Sequence, residues 1–319
     1  MRRNDKRVML ILVDQLAGHW AQGVLVESTG LPPPNVEGYH IQGLIPHISY
    51  LIEEGIWVRH PYNMGECATG PAQEYITMGS YKSKRESQHI ANFLRTHLSL
   101  KTAFFEEWTS KYVRGYLFDF EASTDNHIIP PYTSDEELLE RFVMPWMKNN
   151  EDWSFVFVHL DDHDYTLPPV YVPRPTFSTE DKHHHLVDHV DKNIAQIINF
   201  LKKEGWWTET FLILCSDHAY HLGCDIDPPM GLSRSTNFCW GHSPPYDCHI
   251  WDFKANKPSK KLSQCCRRIT FILSGGAVDE KLRGKQIQTA EIIDIPATIA
   301  DIYSLPYPSD GESILKKTR

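Results

Sequence analysis

The chain has 319 residues, 41% hydrophobic and 23% charged, an ordinary globular composition with length for a large core in one α/β domain or two smaller ones. Its net charge is −9 and no long Lys/Arg block stands out, which argues against a nucleic-acid surface. An acidic total does not exclude an anionic substrate, because a metal ion reverses the local field of a pocket.

The N-terminal stretch "MRRNDKRVMLILVDQL" is basic and then briefly apolar. The run "VMLILV" is too short for a signal-peptide core and ends in Asp14 with no small-residue cleavage site, so it reads as a buried first strand, residues 7–14. No apolar stretch approaches the length of a membrane span, and the expected location is cytoplasmic. Further short apolar runs predict strands at 55–63, 101–107, 154–161, 210–217 and 268–276. They are continuous rather than alternating, the pattern of strands buried on both faces of a mainly parallel sheet.

Helices are predicted at 45–55, 183–205 and 289–303. The second repeats Leu186, Val190, Ile194, Ile197, Ile198 and Leu201 and ends with lysines and Gly205. The third tolerates Pro296 if Asp294 or Ile295 begins the helix proper. Proline-rich segments at 31–34, 168–175 and 228–245 read as loops. Strand–helix alternation predicts one doubly wound α/β domain over residues 1–319, its mainly parallel sheet covered by helices on both faces. The seven cysteines are odd in number and show no CxxC, so they read as reduced thiols.

Ligands of such folds collect at the carboxyl ends of the strands. Four expected strand ends carry polar clusters: Asp14–Gln15, the segment "NMGECATGPAQEYITMGSYKS" (63–83), "HLDDHD" (159–164) and "SDHAYH" (216–221). In the second, Thr69 precedes a Gly-Pro and an apolar run that closes at Gly79, a loop leading into a short helix whose first N–H groups favour an anion. Asp14 closes an apolar strand, a costly place for a charge unless it meets a cation. Together with Asp217 and His218 it suits a divalent metal of the Zn, Mn or Mg range, with Gln15 as a further oxygen ligand. Any one of these aspartates alone reads equally well as a helix cap or an ion pair. The histidine run 183–185 reads as a solvated helix start, Trp206–Trp207 as packing for the turn after Gly205, and Cys265–Cys266 as lacking metal-ligand spacing. Cys67 lies near the presumed reaction centre.

"SDHAYHLG" resembles the "SDHGxxLG" signature of the alkaline-phosphatase superfamily, in particular its sulfatase and phosphonate monoesterase branch. The resemblance spans nearly the whole chain. "VMLILVDQL" is similar to the first metal-bearing strand, "IPHISYLIEEGIWVRHPYN" to the helix and strand that follow, and "FVHLDDHDYTLPPVYVP" to the "HxPYxxPxxY" segment. "IIDIPATIADIYSLPYPSDGESIL" resembles the closing "DxxPTxxxLxGxPxPxxxDGxSL". The family places its nucleophile two residues before a proline and ten before a glycine, and Pro71 and Gly79 both give Thr69.

The resemblance therefore implies a metal-dependent hydrolase of phosphate diesters or phosphonate monoesters, acting through a covalent phosphothreonine on Thr69. A phospho-group transferase with the same intermediate and a non-catalytic binding protein of sulfatase fold are the alternatives. It implies a divalent cation (Zn, Mn, Mg or Ca) on Asp14, Gln15, Thr69, Asp217 and His218. One site is preferred, and Asp161, Asp162 and His163 supply material for a second. It also implies a substrate or leaving-group contact for His163 and substrate contacts for Arg234 and His242. The partner is a small anionic ester.

The departures are specific. Gln15 replaces a second aspartate, and Gln73 stands at the arginine position of the sulfatase C-x-P-x-R. Cys67 is two residues too early for formylglycine. The chain ends just after "DGESIL", where sulfatases continue into a smaller C-terminal subdomain, so the expectation is either a more open pocket or one completed by a second subunit of a homo-oligomer.

Overall fold

The computed structural model describes residues 6–20, 30–82, 85–131, 133–164, 177–221, 238–239, 244–252, 255 and 257–318. Its strands are β1 (Arg7–Val13), β2 (Ile56–Tyr62), β3 (Thr102–Phe105), β4 (Phe120–Ala122), β5 (Phe155–Leu160), β6 (Phe177–Ser178), β7 (Thr210–Cys215), β8 (Phe238–Cys239), β9 (Cys248–Asp252), β10 (Lys257–Ser263), β11 (Phe271–Ser274) and β12 (Lys285–Glu291). Eight of them form one sheet in the order β12-β2-β11-β7-β1-β5-β3-β4. Every pairing is parallel except those of β11, which runs antiparallel to β2 and β7. The six expected strands all belong to this sheet.

Both faces of the sheet are covered. Along β1, Met9, Ile11 and Val13 enter one core, and Val8, Leu10 and Leu12 enter the other. Alternate side chains point to opposite faces of a strand, so a continuous apolar run is what two buried faces require. The first core is closed by the helix Pro46–Glu53 and by the π turn Leu186–Val190, which runs from the helix Thr179–His185 into Asp191–Lys203 and buries Leu186, Val190, Ile194 and Ile197. The second is closed by Thr69–Met78, Ile90–Leu98 and Asp294–Ile302.

The expected helix 289–303 divides. Residues 289–291 finish β12, an edge strand, and the helix proper starts at Asp294. In "KQIQTAE" only Ile287 and Ala290 are buried, so no apolar run announces a strand. The antiparallel direction of β11 and the short edge strand β4 were likewise not foreseen. The histidine run is not simply solvated either. His185 is buried, stacking on His163, and His183 Nδ1 lies 2.9 Å from the Tyr39 hydroxyl. Trp206 packs edge-on to Trp153. Among the described residues, no helix is long and apolar enough to cross a membrane.

Candidate metal centre

The carboxyl ends of β1, β5, β7 and β3 meet the N-terminus of the helix Thr69–Met78. Asp14 follows the last residue of β1, and its backbone N–H donates to Leu160 at the end of β5 (2.9 Å). Asp217 and His218 lie just past β7. Thr69 is the first residue of its helix, after an extended Ala68 that makes no side-chain cap, and Gly79 ends the helix with φ +65°. The N–H groups of Thr69 and Gly70 and the positive end of the helix dipole lie at the terminus that carries the Thr69 hydroxyl, while Pro71, third in the helix, has no N–H to offer. A Cβ on Gly70 would lie 2.8 Å from the Tyr112 ring, so a larger residue there shifts that ring or the backbone beside Thr69.

These elements bring four predicted residues together. Thr69 Oγ1 donates to Asp14 Oδ2 (3.1 Å) and lies 3.4 Å from His218 Nε2. His218 Nε2 is 3.4 Å from Asp14 Oδ1 and 3.2 Å from Asp217 Oδ2. Asp217 Oδ1 accepts the backbone N–H groups of Gln15 (3.0 Å) and His218 (2.8 Å). Gln15 presents its N–H from a left-handed conformation, φ +59°. Its side-chain amide donates to Asp164. Asp14, Asp217 and His218 are fully buried, whereas Thr69 retains 8% exposure and is the member a substrate reaches most readily.

The donor set fits a divalent cation. Asp14, Asp217 and His218 each offer a ligand atom within 4.8 Å of the others. Burial, then the neighbouring Asp14 charge, pushes the Asp217 carboxyl well above the usual carboxylate range. Asp217 Oδ2 is buried and makes no hydrogen bond among the described residues, so a cation would relieve the crowding and occupy that oxygen. Mixed carboxylate and imidazole donors suit zinc or manganese better than the all-oxygen preference of calcium.

A second donor set shares Asp14. His159 Nε2, on β5, lies 3.5 Å from Asp14 Oδ2 and 3.2 Å from Asp161 Oδ1. Its Nδ1 donates to Glu106 Oε1 (2.7 Å), which also accepts from the Gln73 amide (2.7 Å). Burial alone would lower the His159 pKa, but the Asp161 charge and hydrogen bonds to Asp14 and Glu106 raise it well above the usual imidazole value. Gln73 thus orients Glu106, and Glu106 orients His159, the arrangement by which an outer carboxylate fixes a metal-binding histidine.

His159 and Glu106 were missed in the sequence. Glu106 directly follows β3, the signal that singled out Asp14 and Asp217, whereas His159 stands inside β5, one residue before its end. Asp161 was part of the expected second-site material. Asp162 instead caps the backbone of Asp135 (2.9 Å).

Of the remaining expected residues, His163 is buried with its Nδ1 3.1 Å from His185 Nδ1 and its carbonyl accepting from Lys182 Nζ (2.6 Å). Burial, Lys182 and His185 hold its imidazole well below the usual pKa, in the neutral form. Arg234 and His242 lie outside the described residues. Cys67 is buried, and its thiol is pushed up to about 12 chiefly by that burial, which disfavours the thiolate at neutral pH.

A mainly parallel sheet with a threonine, two carboxylates and an imidazole at its carboxyl edge defines a fold of the alkaline-phosphatase superfamily. The chain belongs to the Sulfatase family, whose model matches residues 24–301. Solved structures share the fold. A lipoteichoic acid synthase from Listeria monocytogenes superposes with a TM-score of 0.61 at 15% identity, covering 98% of this chain and 76% of that one. The phosphonate monoester hydrolase of Agrobacterium radiobacter gives 0.58 at 12%, covering 97% and 76%. That of Silicibacter pomeroyi gives 0.57 at 14%, also covering 97% and 76%.

Proposed function

We propose that the chain is a metal-dependent phosphoric ester hydrolase for diesters or phosphonate monoesters, with Thr69 as nucleophile. The observation that carries this reading is the Thr69 hydroxyl at a helix N-terminus, 3.1 Å from Asp14 and 3.4 Å from His218. A divalent cation on Asp14, Asp217 and His218 would make that hydroxyl more acidic and stabilise charge on the transferring group. Thr69 Oγ1 forms a bond to phosphorus as the bond to the leaving oxygen breaks. Asp14 Oδ2, the acceptor of the Thr69 proton in the resting site, takes that proton. The backbone N–H groups at the start of the helix hold the non-bridging oxygens. Water, or an organic hydroxyl in the transferase alternative, then attacks phosphorus, the bond from phosphorus to Thr69 Oγ1 breaks, and the proton on Asp14 returns to Oγ1. A neutral His163 speaks against its acting as a protonated donor to the leaving group, leaving it a contact role. Gln73 in place of arginine, committed to Glu106, disfavours sulfate esters handled by formylglycine.

The test is turnover of an aryl phosphate diester, phosphate monoester, phosphonate monoester and sulfate by zinc- or manganese-loaded protein, with Thr69→Ala beside it. The expected result is turnover of a phosphorus ester that falls at least about a thousandfold in the variant, with a phosphorylated Thr69 peptide in wild type by mass spectrometry. Equal turnover by Thr69→Ala would overturn the reading.

A further inference from the structure

Beyond the catalytic centre, a second cluster of ligating side chains lies behind the same loop. His221 follows His218 by three residues, Cys248 opens β9, and Cys265 begins the turn after β10. All three are buried, at 0%, 3% and 0% exposure. Their ligating atoms lie within 4.8 Å of one another, and Cys248 Sγ is 3.1 Å from Cys265 Sγ. Three separate chain segments thus converge on one point with two thiols and an imidazole. The geometry points to a structural zinc site on His221, Cys248 and Cys265, distinct from the oxygen-rich site at Thr69.

The donor chemistry favours zinc. Soft thiolates with an imidazole form a set that structural zinc selects. In a zinc tetrahedron two thiolates at about 2.3 Å from the metal stand about 3.8 Å apart, so the sulfurs, 3.1 Å apart here, would separate by about 0.7 Å on binding. A disulfide would need the two sulfurs at about 2 Å. On binding, Zn²⁺ replaces the protons of the two thiols, which pass to solvent, and no oxidant or reductant is required. Water or another donor fills the remaining position.

The site would tie three elements together. The loop after β7 carries Asp217, His218 and then His221, and the Ala219 N–H donates to Cys266 O (2.8 Å). Cys248 and Ser263 are paired across the β9–β10 hairpin, and Ser263 Oγ lies 2.9 Å from Cys265 Sγ. A cation at this point clamps the loop bearing two catalytic-centre ligands to the hairpin, fixing their backbone without touching substrate.

The test is cobalt substitution of the full chain, read by near-ultraviolet thiolate-to-cobalt charge transfer, which the oxygen and nitrogen donors of the catalytic centre cannot produce. The expected result is a charge-transfer band that persists in Asp217→Asn, falls by half or more in Cys248→Ser and in Cys265→Ser, and is lost in the double serine variant. Should either serine variant misfold, alkylation of wild type settles the matter, with Cys248 and Cys265 protected until a chelator is added. A folded wild type without the band overturns the proposal, as does a band undiminished in the single serine variants or retained in the double variant. So does a count of five free thiols in denaturant that reductant restores to the full seven, the signature of a Cys248–Cys265 disulfide.

Discussion

Asp217→Asn separates the stability of the metal-free site from its use. Asp217 Oδ1 accepts two backbone N–H bonds, which the isosteric amide oxygen retains. What the substitution removes is an acidic group whose folded pKa is raised well above the ordinary value by burial and by Asp14. The sign follows from linkage. A raised carboxylate binds protons more tightly in the folded than in the unfolded state, so it costs nothing below its unfolded pKa. It destabilises increasingly as pH rises toward the folded value. At pH 7 the penalty is bounded at about 4 kcal/mol, roughly three pH units above an unfolded pKa near 3.9. Relief of about 1–3 kcal/mol by Asn raises the melting temperature by roughly 2–10 °C. Saturating cation narrows the gap. At a hundredfold excess over Kd it stabilises wild type by about 2.7 kcal/mol, and the variant by less because the ligand charge is gone. The assay is thermal unfolding of both proteins in chelator and in manganese, at pH 7 and at pH 4. The expected pattern is a variant more stable in chelator at pH 7, no difference at pH 4, and a smaller metal response in the variant. A variant that melts below wild type in chelator, or gains as much from manganese, would refute the reasoning.

Glu106→Gln should weaken cation binding at the set containing His159 by about 10–100-fold, measured by competition titration, because the outer carboxylate that orients the imidazole loses its charge. Gly70→Ala should lower kcat far more than stability, since the new Cβ, 2.8 Å from the Tyr112 ring, displaces the backbone beside Thr69. Parallel kinetics and melting curves read the split. Phe157→Ala, fully buried in the core beneath Thr69–Met78, should cost about 3–5 kcal/mol in denaturant unfolding.

The legible parts of the fold were those where one chemical pressure acts alone. β1, β5 and β7 are buried on two faces and so appear as unbroken apolar runs, and their ends displayed Asp14 and Asp217 as polar groups in costly positions. Edge strands obey a weaker rule. In β12, polar residues face solvent on either side of Ile287, and in β4 only Ala122 is buried. His159 was hidden for another reason. It opens the polar cluster 159–164 but stands inside β5, before Leu160, so the aspartates and His163 after it drew the assignment instead. Glu106 gained meaning only from a partner on another strand, which spacing along the chain does not reveal. Cys248, Cys265 and His221 were scattered in sequence for the same reason, and the hairpin that gathers them carries no apolar signature.

The position of β1 orders the events of heating. It has a strand on each side, apolar layers above and below, and registered pairs with β5 and β7 along its length. Amides there exchange with solvent only when the whole molecule opens, whereas a helix end can fray at far lower cost. Asp14 hangs from the most protected strand, and Thr69 from the first turn of a helix. Warming should therefore loosen the nucleophile before the carboxylate that meets it, so that activity fades while the cation is still held.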